Sequence, residues 1–196
     1  MLEIFGTIVG LLYLWLEYKA HAGLWIAGMV MPAIYLQIYY EAGLYADFAI
    51  NVYYLLMAVY GWLYWKFGPF FSRDHRPLQE DLPITFMPLR YWLPLSGIVI
   101  VLFVAMSLLL EHFTDSTVPF LDSFTTALSI AGMWMLARKY LEQWIVWILV
   151  DLVSAGLYVH KQLYFTAALY LLYAIIAILG YRKWKRMMPA QTISKP

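Results

Sequence analysis

Gly61-Trp62-Leu63-Tyr64-Trp65-Lys66 closes one stretch of this sequence, and Gly180-Tyr181-Arg182-Lys183-Trp184-Lys185 closes another 119 residues later. Working back from these endings without a gap, 3–66 pairs with 122–185 at 14 identities in 64 positions. Phe5 meets Phe124, Trp15 meets Trp134, Trp25 meets Trp144, Tyr39 meets Tyr158 and Tyr54 meets Tyr173. Linkers and tryptophan-bearing ends align as well as apolar residues do, so one unit is written twice. Each copy reads as three apolar segments, and a further segment stands between the copies. The seven segments are 2–18, 24–40, 44–65, 91–110, 119–137, 144–160 and 163–181.

Composition says what these segments are. Of 196 residues, 64% are hydrophobic and 13% charged, against roughly 45–50% and 25% in soluble domains. A chain this short cannot hide so much apolar surface from water, and blocks of 17 or more apolar residues are the signature of membrane helices. Continuous rather than alternating runs argue against a membrane β-barrel. A soluble enzyme, a nucleic-acid binder and a disordered chain are excluded. The absence of cysteine removes disulfides, thiol nucleophiles and zinc thiolates. Glu3 with no Lys or Arg before it lacks the basic start of a signal peptide, so the first segment is expected to be a retained span.

Charge sets the expected orientation. The N-terminus and the loops after segments two, four and six hold only Lys161 of the 13 Lys and Arg; the other side holds the remaining twelve, among them the run Arg182-Lys183-Trp184-Lys185-Arg186. Under the positive-inside rule the basic side is cytoplasmic. The N-terminus is then outside and the C-terminus inside. Three helices reverse chain direction, so the central fourth span restores it and makes the two copies parallel. The expected organisation is 1–66 as the first three-helix repeat, 67–118 as cytoplasmic loop plus linking helix, 119–186 as the second repeat, and 187–196 as a tail. This all-α 3+1+3 pattern is similar to that of SWEET-type transporters, whose substrate site lies near the membrane midplane.

An ionisable side chain at bilayer depth costs about 2.5–3.5 kcal/mol on insertion scales and so marks a candidate site. Asp151 is the clearest, eight positions into Trp144-Ile-Val-Trp147-Ile-Leu-Val-Asp151. Helical spacing puts Trp144, Trp147, Asp151, Ser154 and Tyr158 on one stripe. An indole wall beside a carboxylate suits a flat cationic ring through ion pairing and cation–π contact. The competing role is a structural Asp bonded to a neighbouring helix. The mate of Asp151 in the first repeat is Pro32, so the acid is no part of the symmetric scaffold. Asn51, Tyr54 and Gln37 are further candidates, as are Thr125 and Ser129, although intramembrane Asn often serves as interhelical glue and Ser or Thr often bonds its own backbone. Glu17 reads as an interfacial acid or a gate element. Trp25, Trp62, Trp65, Trp144 and Trp184 sit near segment ends, where an aromatic belt is expected. His21, His75, His112 and His160 form no metal-ligand pair in helical register, and no nucleophile elbow or phosphate loop occurs. Neither cofactor nor metal is expected.

Arg138-Lys139-Tyr140-Leu-Glu142-Gln-Trp144-Ile-Val-Trp147 resembles the PnuC family of bacterial vitamin transporters, as do Gly43-Leu-Tyr45-Ala through Tyr60-Gly61-Trp62 and Pro119-Phe-Leu-Asp122-Ser. The resemblance runs from Gly6 to Trp184. It implies a SWEET-like fold in the bacterial inner membrane, a homotrimer, and facilitated uptake of an unphosphorylated vitamin precursor that a cytoplasmic kinase then traps. No catalytic activity follows from it. Members carry nicotinamide riboside, thiamine or riboflavin. The nicotinamide riboside pattern ends Trp-x-x-Trp-x-x-x-Asn, and here Asp151 takes the last place. A carboxylate suits the aminopyrimidine of thiamine, so the residues lean slightly to thiamine, with nicotinamide riboside as the alternative. A non-transporting membrane subunit or sensor and a sugar carrier are the other readings. A sugar carrier would have a neutral site with no need of Asp151.

Overall fold

The computed structural model describes the backbone of 2–43, 45–71, 82–113 and 118–188, and the side chains of 8–43, 48–67, 82–112 and 118–188. Phe5, Thr7, Tyr45 and the charges of 72–81 therefore lie outside the described side chains. Among the described residues seven helices follow one another: α1 (Leu2–Tyr18), α2 (Gly23–Glu41), α3 (Tyr45–Phe71), α4 (Leu89–Phe113), α5 (Pro119–Ala137), α6 (Gln143–His160) and α7 (Tyr164–Met187). Six carry a stretch long and apolar enough to cross a bilayer, and α1 contributes the shorter apolar stretch Ile8–Tyr18. The seven expected segments thus each form a helix. The third and seventh run past their expected ends, because Trp65 and Trp184 anchor the packing instead of closing the helix.

Hydrophobic side chains face outward in quantity. On α4, Leu93 is 84% exposed and Val101 67%, and its apolar window buries nothing. Lipid tails are as apolar as leucine, so such a surface is stable only in a membrane. Pro32 inside α2 and Pro94 inside α4 fit the same setting, where spanning helices tolerate proline.

The helices group into two compact units, Met1–Pro83 with Ala137–Lys139, and Ile84–Leu136 with Tyr140–Pro196. Within the first, α2 packs on α1 and α3; within the second, α6 packs on α7. The 119-residue periodicity extends to the backbone. Ala20 (φ 52°) and Lys139 (φ 55°) take the same left-handed conformation after the first helix of each copy, and Gly43 (φ 71°) and Gln162 (φ 59°) do so after the second. His21 N donates to Leu16 O and Tyr140 N to Met135 O, both at 3.0 Å, a turn closure repeated at the same offset. Only Gly43 adopts its conformation without a Cβ penalty.

The first unit also holds the turn that follows α5. Trp65 Nε1 donates to Ala137 O at 3.1 Å, Arg138 donates to the Tyr64 hydroxyl at 3.1 Å, and the Lys139 ammonium stands 4.2 Å from the Trp65 ring centroid. In the second unit the segment before α4 is strapped to the start of α6. Leu141 N donates to Thr85 O at 2.9 Å, and Met87 N donates to both Glu142 oxygens, at 3.1 and 3.0 Å. Met87, Met135 and Tyr140 form the buried centre of this strap, with Tyr91, Leu95, Trp134 and Val146 around it. Burial raises the Glu142 carboxyl above its ordinary value, while hydrogen bonds from backbone amides pull the other way.

Candidate functional site

Asp151 sits in the middle of α6 and is 8% exposed, with Ser154, equally buried, one turn on. Two α7 phenols, Tyr170 and Tyr173, lie within electrostatic reach of its carboxylate. Tyr170 hydrogen-bonds Tyr158 of α6, and the two rings stack at 5.1 Å and 27°. Tyr170 also meets Tyr173 at 5.7 Å and 64°. A carboxylate and three tyrosines are therefore gathered from α6 and α7 at the depth of one bilayer-spanning helix. The cluster offers a negative group, hydroxyl donors and aromatic faces together, which is the chemistry that receives a cationic heterocycle.

Trp147 lies four residues before Asp151 on the same helix. A Cβ added to Gly132 of α5 would come within 3.3 Å of its indole, so the glycine is where that ring lies against the neighbouring helix. The first unit shows the same contact with its partners exchanged. There Tyr13 of α1 lies against Gly28 of α2, at 3.0 Å from such a Cβ, and these positions mate with Gly132 and Trp147. The repeat keeps one ring and one glycine at this crossing and moves the ring from the first helix to the second.

Trp144 departs from its expected place. It is 1% exposed, stands edge-on to Trp184 at 5.5 Å and lies over Gly180, so its ring belongs to the packing and offers no free face to a ligand. Trp25, Trp65 and Trp184 are likewise 0–4% exposed and do not form an aromatic belt. Thr125 donates to Leu121 O and Asp122 O, and Ser129 to Thr125 O at 2.8 Å, so both hydroxyls serve their own helix. Gln37 is exposed and donates to Glu41 Oε1 at 2.9 Å, one turn on. Its amide is engaged locally and does not line a buried polar site. Asn51 and Tyr54 are half-buried on α3. Tyr54 and Glu17, which is 2% exposed, both lie within electrostatic reach of Tyr13.

Sequence reasoning did not place Tyr170 or Tyr173 beside the acid. Their signal was available: Tyr170 is the mate of Asn51, and Tyr173 repeats Tyr54. Among the described residues no three His, Cys, Asp or Glu side chains gather as a metal site requires.

Apolar helices with lipid-suited surfaces and a carboxylate–tyrosine cluster shared by two of them, α6 and α7, define a multi-pass membrane protein with the make-up of a transporter. Residues 1–186 match the family described as "Nicotinamide mononucleotide transporter", and the chain belongs to it, the PnuC family of membrane transporters. It is 25% identical over 207 residues to the nicotinamide riboside transporter PnuC of Escherichia coli, a match covering 93% of this chain and 84% of that protein. It is 26% identical over 188 residues to the riboflavin/roseoflavin transporter RibM of Streptomyces davaonensis, covering 93% and 83%. The crystal structure of the vitamin B3 transporter PnuC superposes with a TM-score of 0.65 at 21% identity, covering 93% of this chain and 79% of that one, which establishes a shared fold.

Proposed function

We propose that this chain is an inner-membrane facilitator of nicotinamide riboside uptake, working by alternating access and relying on a cytoplasmic kinase to trap the product by phosphorylation. The observation that carries this reading is Asp151, a carboxylate 8% exposed inside an apolar helix and surrounded by tyrosines. Such a group is costly in a membrane and suits a cation. Nicotinamide riboside is a flat pyridinium cation, and relatives from Escherichia coli and Neisseria mucosa bear its name at 25% and 23% identity. The lean towards thiamine rested on an acid standing where the PnuC pattern has Asn. Both vitamins are cations, so the acid does not separate them, and the relatives' names favour nicotinamide riboside.

In this reading Trp147 stacks on the pyridinium, Asp151 faces its charge or accepts from the ribose hydroxyls, and Ser154 completes the polar face. The repeated turns support a parallel 3+1+3 organisation of the SWEET kind, and the twelve-to-one charge bias supports an outside N-terminus and cytoplasmic C-terminus. The assembly is a homotrimer, as the family resemblance implies.

The test is uptake of labelled nicotinamide riboside into liposomes containing the purified protein. Saturable uptake that excess unlabelled nicotinamide riboside abolishes, and that thiamine and riboflavin leave unchanged, is the expected result. Asp151→Ala should lower it at least about tenfold, the loss of one charge-assisted contact. Stronger competition by thiamine would restore the thiamine reading. No uptake of any of the three would favour a membrane subunit or sensor.

A further inference from the structure

Gln143, the first residue of α6, is 0% exposed, and neither its amide nitrogen nor its amide oxygen has a hydrogen-bond partner among the described residues. A buried amide left without partners carries its full desolvation cost. Packing does not require that cost. The position equivalent to Gln143 in the first repeat is Leu24, each the first residue of the Leu-Trp or Gln-Trp pair that enters the repeat's second helix, and Leu24 is likewise 0% exposed. In one copy an apolar side chain fills the place; in the other an amide does.

The neighbours of Gln143 suggest what the amide is for. Trp147 lies one turn on and Asp151 two turns on, so the three form a slowly drifting stripe on α6. Eight residues of helix separate the Cα atoms of Gln143 and Asp151 by about 12 Å. The Trp147 indole nitrogen, between them, is also buried without a partner among the described residues. A stripe of amide, indole and carboxylate matches a ligand with a primary carboxamide at one end, a flat cation in the middle and hydroxyls at the other end. A carboxamide both donates and accepts, and so does the amide of Gln143, so the two can pair through two hydrogen bonds.

We propose that Gln143 is a specificity-determining residue that pairs with the carboxamide of a pyridinium carboxamide nucleoside when the transporter opens to that end of α6. This rests on the substrate class proposed above and adds to it the group that reads the carboxamide.

The experiment measures binding of nicotinamide riboside and of pyridine riboside, which lacks the carboxamide, to purified wild type and to Gln143→Leu. The leucine is the residue the first repeat carries at this place, so the fold accepts it, and a thermal melt of each protein confirms that it does. The expected result is an affinity for nicotinamide riboside at least about tenfold weaker in Gln143→Leu, with pyridine riboside bound as by wild type. Gln143→Asn, which keeps the amide on a shorter stem, should recover part of the preference. The proposal is overturned if Gln143→Leu binds both ligands as wild type does, or weakens both by the same factor. A wild type that binds nicotinamide riboside no better than pyridine riboside also overturns it while leaving the transport reading standing. A wild type that binds neither overturns both.

Discussion

Trp144 stands edge-on to Trp184, with ring centroids 5.5 Å apart and planes at 88°, and Trp25 bears the same relation to Trp65 at 5.6 Å and 89°. Each pair lies in its own unit, and each leading indole covers the glycine four residues before its partner, Gly180 or Gly61. Ala177 and Ala58, three residues before those glycines, are buried at 2%. The stripe Ala-x-x-Gly-x-x-x-Trp on the last helix of each repeat is thus a slot cut to one indole. Small residues let a neighbouring helix approach where lipid supplies no hydrophobic drive of its own. The closing motif of the sequence is, physically, this slot.

Filling the slot should destabilise the unit. A Cβ at Gly180 would come within 2.5 Å of the Trp144 ring, which is walled in by Trp184 and cannot step aside. Gly180→Ala and Gly61→Ala are each expected to cost about 1–3 kcal/mol, the usual price of overpacking. The purified variants should melt several degrees below wild type in a detergent thermal-shift assay. Gly97→Ala, where nothing lies within 4 Å, should melt as wild type does. Equal melting of all four proteins would show that the indoles have room.

The strap before α4 gives a pH-dependent effect of known sign. Burial raises the folded-state carboxyl of Glu142 above its unfolded value. The stability contributed by this raised pKa is complete below the unfolded pKa, near 4.5, and is lost as pH rises through the folded one. Glu142→Gln should therefore flatten the fall in melting temperature as pH rises from about 4.5 through the folded-state value. Its amide oxygen still accepts from Met87 N, so the variant should remain folded. Glu142→Ala removes the acceptor of the Met87 amide and should cost about 1–3 kcal/mol at any pH.

Much of the fold was legible because helix length and apolar runs are local properties. The fifth span was expected at 119–137 and α5 is Pro119–Ala137. What sequence did not separate was the two uses of a tryptophan near a span end, belt or packing, since both occupy the same position along the helix. The discriminating signal is that Trp25, Gly61 and Trp65 recur together as Trp144, Gly180 and Trp184, and a ring that always travels with a glycine is packed against it. The candidate site was legible as far as Asp151, where one acid stands out from an apolar run. Its tyrosine partners come from α7, and no periodicity along α6 reports what α7 presents. The hydroxyls of Thr125 and Ser129 were undecidable from spacing, because a backbone carbonyl one turn back is always within their reach.

At the opposite end of α6 from the strap, Lys161 stands 3.6 Å from Asp122, with side chains 31% and 29% exposed. An ion pair this accessible is worth within about 1 kcal/mol. Lys161→Met is accordingly expected to change the melting temperature by no more than a degree or two, and to leave the salt dependence of stability nearly flat. A large drop would mean that the pair locks α5 to the α6–α7 turn much more firmly than its exposure allows.

The exchanged ring-and-glycine crossing supplies the test that separates a stacking role for Trp147 from a structural one. A methyl at Gly132 would meet the Trp147 ring at 3.3 Å, close enough to displace it by a few tenths of an ångström without expelling it. A ring that stacks on the substrate's cation must lie at its proper height, and small misplacements are amplified in affinity. Gly132→Ala is expected to raise the KM for nicotinamide riboside uptake about three- to tenfold while the melting temperature stays within two degrees or so of wild type. Gly156→Ala, on α6 with open space around it, should change neither. If Gly132→Ala instead lowered stability as Gly180→Ala does and left KM unchanged, Trp147 would be a second packed indole, and the aromatic surface for the cation would have to come from Tyr158 and Tyr170.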